Sequence, residues 1–188
     1  MTSSGALPGL DSPGRIAGTV LAGMVIEAAM AWRFGWSPPL AAYSFLALTG
    51  AVVSATDLAA RRVPNPIVLP AYPITVALLV TACLPSGLWW PLARAAIAAA
   101  VLGGFYLALR LAFPAGVGLG DVKWAGVLGA YLGWLGWADL SSGTLVAFTA
   151  AAVFVAGHSL AGRHRHGSTV PMAPFMTAGA LVAALAIR

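Results

Sequence analysis

Apolar residues in this chain do not alternate with polar ones; they run on until proline, glycine or charge stops them. Seven such runs cover about Ile16–Phe34, Leu40–Leu58, Ile67–Leu84, Trp90–Phe113, Val122–Trp137, Ser141–Ala161 and Met172–Ile187. Each is near the roughly 20 residues that cross a bilayer as a helix. Lipid offers no partners to backbone N–H and C=O groups, so a spanning segment is a helix or part of a closed barrel. Continuous runs, without the alternation of a barrel strand, select helices. The pattern predicts an all-α fold, a polytopic transmembrane bundle of about seven helices. Residues 1–14, rich in Ser, Gly and Pro, read as a flexible tail. Neither a shift in composition nor an internal repeat marks a second domain.

Composition strengthens this picture. Hydrophobic residues are 60% of the 188 positions and charged residues 8%, against about 25% charged in a soluble domain. The net charge of +5 is not a nucleic-acid signal, because most of the ten Lys and Arg sit at the ends of apolar runs and no basic patch carries interleaved aromatics. The partner it implies is the lipid bilayer. A single cysteine, Cys83, lies inside an apolar run and reads as a packing residue. It excludes an internal disulfide and a four-cysteine zinc site. Arg15, an apolar stretch and Ala29-Met30-Ala31 imitate a secretory signal. Glu27 interrupts that stretch and the positive start is weak, so it reads as a retained helix.

Charge also orients the bundle. With the N-terminus in the cytoplasm, Arg15, Arg61, Arg62, Arg110, Lys123, Arg163 and Arg165 fall on the cytoplasmic side, and Arg33, Arg94 and Arg188 fall outside. That bias satisfies the positive-inside rule for an inner-membrane protein. It places Asp57, ending the second run, and Asp121, just before the fifth, on one cytoplasmic face. Topology thus brings two acids 64 positions apart to the same depth.

Only five acids are present: Asp11, Glu27, Asp57, Asp121 and Asp139. A carboxylate in or beside a membrane segment costs roughly 2.5–3.5 kcal/mol on insertion scales and calls for a partner or a purpose. Two carboxyls sharing one proton form an aspartic-protease site: one draws a proton from water while the other protonates the scissile carbonyl. Such a site needs no metal, cofactor or nucleophilic side chain. The dipole of the helix that Asp121 opens favours it as the base, and Asp57, near a helix C-terminus, as the acid. Pairing of Arg61 with Asp57 would reverse the order.

The flanking residues are more specific than the acids. Gly118-Leu119-Gly120-Asp121-Val122-Lys123 places Gly-x-Gly-Asp at the mouth of an apolar helix, where glycines let a substrate strand approach. Asp57 is followed by Arg61-Arg62 and Val63-Pro64-Asn65, and Pro64 stops the helix at or before Val63. With Pro171-Met172-Ala173-Pro174-Phe175 as a third element, the chain resembles the Gly-x-Gly-Asp aspartic peptidases of the prepilin leader peptidase type. Ala173 stands where that family usually has glycine.

The resemblance runs from about Ser44 onward. It implies a six-helix peptidase core over residues 37–188, with residues 15–36 as an additional helix. It implies catalysis by Asp57 and Asp121, supported by Gly118, Gly120, Lys123, Pro64, Asn65, Pro171 and Pro174. The implied substrate is a type IV pilin-like precursor, cut after a glycine where its short basic cytoplasmic leader meets a hydrophobic helix. Bifunctional members carry paired Cys-x-x-Cys motifs linked to N-methylation; one cysteine leaves peptidase activity alone. Oligomeric state is not legible.

Two other readings compete: a proton-coupled transporter, which would place acids at the midplane in related halves, and a catalytically silent assembly protein. Elsewhere the simpler readings hold. Glu27 is paired structurally or protonated, and Asp139 is solvated in a short outer turn. Trp89, Trp90, Trp134 and Trp137 form an outer aromatic belt. Arg163-His164-Arg165-His166 is a solvated loop rather than a metal site, and His158 packs at the interface. Gly126, Gly129, Gly133 and Gly136 share a face that draws another helix close and steers the fifth segment beside the second. Lys123 points away from Asp121, toward a leader or lipid phosphates.

Overall fold

The computed structural model describes residues 13–114, 116–161 and 170–186. The tail over residues 1–12, the Arg163–His166 loop and Arg188 lie outside the described residues. Seven helices follow in order: α1 (Pro13–Phe34), α2 (Pro38–Ala60), α3 (Asn65–Cys83), α4 (Trp90–Ala112), α5 (Leu119–Leu135), α6 (Trp137–Leu160) and α7 (Ala173–Ala186). There is no strand among the described residues. Five helices, α1 to α4 and α6, are long and apolar enough to cross a membrane. The polytopic helical bundle is as the apolar runs predicted.

The shorter α5 is the centre. It packs most extensively on α4 and also meets α3, α6 and α7, burying Trp124 to Gly129 without a break. Small residues make this possible. A Cβ on Gly129 would stand 2.6 Å from the Ala98 carbonyl oxygen, and one on Gly133 would strike the Ala98 side chain. The glycine face therefore seats α5 on α4, and Gly126 makes room for the Tyr72 ring of α3. The expectation that this face turns toward α2 is corrected: alanines on α4 supply the matching flat surface. Gly129→Ala should lower stability by about 1–3 kcal/mol, because backbone atoms cannot rotate away. Its thermal midpoint in detergent is the check. Gly104→Ala, with nothing within 4 Å of the added carbon, should leave that midpoint unchanged.

Longer side chains tie α5 to α2 and its neighbours. Tyr43 of α2 donates to the Tyr131 carbonyl at 2.8 Å, and Tyr72 of α3 to the Lys123 carbonyl at 2.6 Å. Trp124 donates through Nε1 to Thr177 of α7 at 3.0 Å. The methyl of Thr177 fits against Gly50 of α2, where a Cβ would lie 2.5 Å away. Thus α7 wedges between α2 and α5.

At the opposite end, Arg94 of α4 reaches the last turn of α5. Its guanidinium donates to the carbonyls of Gly133, Trp134 and Leu135 at 2.5, 2.6 and 2.7 Å. Cations favour helix C-termini, where carbonyls lack intrahelical partners. Asp139 is not in a solvated turn. Only Gly136 separates α5 from α6, so no loop exists to expose it. Asp139 lies in the first turn of α6 at 5% exposure, within electrostatic reach of Arg94 and Arg33. A Cβ on Gly136 would lie 2.7 Å from the Asp139 carboxylate, which would have to shift to admit it.

Trp134 also departs from the belt. It turns inward and donates to Cys83 at 3.4 Å, whereas Trp89, Trp90 and Trp137 are exposed. Cys83 is buried, as a packing residue would be. Glu27 accepts a hydrogen bond from Ser44 of α2 at 2.5 Å, the structural pairing. His158 is exposed and rests on Phe154 within its own helix.

Candidate active site

The end of α2 and the start of α5 meet around a cleft of about 330 Å³. Asp57, Arg61, Arg62, Asn65, Gly118, Gly120, Asp121 and Lys123 all line it. Pro64 stands beside them as the N-cap of α3. Both acids are buried, Asp57 at 5% and Asp121 at 8% exposure, and they interact electrostatically across the cleft.

Each carboxylate is held by the backbone. Gly118 is the N-cap of α5, three residues before Asp121. Its N–H donates to Asp121 Oδ2 at 2.9 Å, one half of a capping box. The helix therefore starts at Leu119, earlier than the apolar run suggested, because the Asp121 side chain satisfies a donor ahead of it. Glycine at 118 keeps the carboxylate clear, since a Cβ would come within 3.2 Å of it.

Asp57 lies in the last turn of α2, yet its carboxylate meets the beginning of another helix. The N–H of Ala173, first residue of α7, donates to Asp57 Oδ2 at 3.0 Å. The Pro171–Phe175 element thus has a role that local sequence could not display. Met172 accepts the first bond of the α7 turn from Met176, and Pro174 sits where a missing N–H costs no helical bond. Both carboxylates consequently sit at helix N-termini. The dipole argument that separated base from acid loses its footing, because it counted only Asp57's own helix.

The connection from α2 to α3 shapes the other wall. Arg61 caps α2 in the left-handed region at φ 51°, its N–H bonded to the Asp57 carbonyl. Pro64 then accepts from Ile67 and Val68, so α3 begins at once. The turn drives Val63 against α5, where a Cβ on Gly120 would lie 2.6 Å from that of Val63. Gly120 therefore admits a neighbouring segment of its own chain, and it lines the cleft together with Gly118. Asn65 accepts from Lys123 Nζ at 2.9 Å. Lys123 does not point away from the acids: the folded-back α2–α3 turn brings Asn65 to its side and draws it into the same cleft. Trp124 and Thr177, which lock the acid-bearing helices together, escaped the sequence reading; a Trp one turn beyond Asp121 was the available signal.

Gly120→Ala should leave membrane insertion intact but displace the first turn of α5. If the cleft is catalytic, activity should fall on the order of a hundredfold, the cost of ångström-scale misplacement. Measuring turnover beside insertion separates that outcome from misfolding.

Residues 44–160 match the sequence model of the Type IV leader peptidase family. Two curated relatives, each a prepilin leader peptidase/N-methyltransferase from a strain of Burkholderia pseudomallei, are 33% identical to the chain over 148 residues. The alignment covers 74% of this chain and 44% of each relative. The chain spans less than half the length of these relatives. The Pro171–Phe175 element lies beyond the residues that the family model covers. No solved structure matches the chain significantly.

Proposed function

The chain belongs to the type IV leader peptidase family, and on that premise we propose a membrane aspartic endopeptidase with Asp57 and Asp121 as its catalytic pair. The observation that carries the reading is one cleft receiving both acids from segments 64 positions apart, each anchored through one oxygen by a backbone N–H. In the proposed reaction the pair holds a water and shares one proton. The ionised carboxyl takes a proton from the water as it attacks the scissile carbonyl, and the other carboxyl protonates the carbonyl oxygen. The amine then leaves with a proton returned by the pair. A pH–rate profile should be bell-shaped, its two apparent pKa values belonging to the pair rather than to either residue.

The substrate we infer is a type IV pilin-like precursor, cut between its short leader and its hydrophobic helix. The site lies at helix ends, which suits a bond at the membrane interface. Arg61, Arg62, Arg110 and Lys123 gather at that end of their helices, and Arg33 and Arg94 at the other. This supports a cytoplasmic site in the inner membrane. The same location weighs against proton-coupled transport, which favours acids at the midplane. We assign cleavage without N-methylation, since these 188 residues contain one cysteine and hence no Cys-x-x-Cys pair.

The test is co-expression in membranes with a tagged pilin-like precursor, followed by sequencing and mass analysis of the new N-terminus. A single cut next to the hydrophobic helix, with an unmethylated amine, is expected. An uncut precursor across several substrates would overturn the peptidase reading in favour of a silent assembly protein. A methylated product made with no other methyltransferase present would overturn only the restriction to cleavage.

A further inference from the structure

The acids are carried by α2 and α5, yet each of these helices packs on α3 and α7 more extensively than on the other. Intermediaries therefore set the spacing of Asp57 and Asp121. One side chain of α7 touches both carriers. The Thr177 hydroxyl accepts from Trp124 Nε1 of α5 at 3.0 Å, and its methyl fills the notch that Gly50 leaves in α2. Both partners stand behind an acid. Trp124 is three residues past Asp121, and Gly50 is seven before Asp57, two turns along the same face. Thr177 itself lies one turn beyond Ala173, whose N–H holds the Asp57 carboxylate. We propose that Thr177 and Trp124 form a positioning pair that fixes the separation of Asp57 and Asp121. Its consequence for catalysis rests on the leader-peptidase reading of the site.

The contacts form a continuous path between the carboxyls. From Asp57 it passes to the Ala173 N–H, along one turn of α7 to Thr177, across to Trp124, and back along one turn of α5 to Asp121. A helical turn is a stiff unit of about 5.4 Å, so parting Thr177 from Trp124 moves one carboxyl against the other. Trp124 is fully buried and Thr177 is 4% exposed. An indole N–H in such a place needs an acceptor, which makes the pairing specific. The α3 side works differently. Tyr72 and Asn65 hold α5 through the Lys123 carbonyl and ammonium, and neither bond ends on an acid. Separation matters because two carboxyls share one proton only while they are close, and their coupling weakens with distance.

Three substitutions separate the parts of the contact. Thr177→Val keeps the methyl in its notch and removes the acceptor, Trp124→Phe removes the donor, and Thr177→Ser keeps the acceptor. The first two should lower kcat for a pilin-like precursor by about ten- to a hundredfold with KM unchanged, as misplaced acids do and lost binding does not. The double variant should be no slower than the slower single one, because both changes break one bond. Thr177→Ser should stay near the intact rate. A second readout needs no cleavage: infrared titration of the carboxyl bands, assigned with Asp57→Asn and Asp121→Asn. The charged and titratable groups facing the pair are Arg61, Arg62 and Lys123 in the cleft and Tyr106 of α4, within electrostatic reach of Asp121. All four are the same in every variant. Coupled carboxyls titrate in two separated steps. The gap between the steps should narrow in Thr177→Val and Trp124→Phe and persist in Thr177→Ser. A gap unchanged in the first two, or narrowed equally in Thr177→Ser, would overturn the proposal. So would losses that multiply in the double variant. The expected gaps in a protein that cuts no precursor would keep the positioning pair and discard the peptidase reading.

Discussion

Asp57→Asn and Asp121→Asn should each lower precursor cleavage by about 10²–10⁴-fold, the contribution of a positioned acid or base. The substitutions suit the test because asparagine keeps an oxygen acceptor. Asp57→Asn can still accept from the Ala173 N–H, and Asp121→Asn from the Gly118 N–H. Helix starts and packing should survive, so the loss would be chemical. The double variant should be little worse than either single one, since residues that act as a unit are not additive. Turnover with saturating precursor is the measurement, beside insertion and thermal midpoint as controls. Undiminished cleavage in either variant would remove the dyad.

The largest stability effect should come from Arg94→Leu, far from the acids. The change strips three carbonyls at the end of α5 of their donor and removes a cation within reach of buried Asp139. Losing a hydrogen bond made by a charged group costs about 1.5–3 kcal/mol, and three are lost together. Arg94→Lys should recover only part of that loss, because one ammonium cannot reproduce the fan of a guanidinium. Reversible unfolding in mixed micelles would give both values. A loss below about 1 kcal/mol for Arg94→Leu, the scale of a surface ion pair, would show that the contacts matter little.

How far the sequence could be read follows from the range of the interactions involved. Helix number and the meeting of Asp57 with Asp121 were legible, because apolar run length and positive charge act locally and set depth. The partner of the glycine face was not, since Gly126, Gly129 and Gly133 state only that something comes close. Asp139 was misplaced because a one-residue joint at Gly136 leaves no sequence signal of a buried carboxylate. Lys123 was misdirected by helical periodicity on α5 alone, when the folded-back turn to Asn65 decides its position. The proposed catalytic role of the two acids rests on a motif; their convergence rests on the bundle.

The bond between Ala173 and Asp57 spans 116 positions and joins α7 to α2. During synthesis, therefore, both acids enter the membrane well before the group that orients one of them leaves the ribosome. A nascent chain halted ahead of residue 173 would hold the pair without its orienting donor. Under the proposed chemistry, its proteolytic competence would await α7, a timing written into the order of the segments.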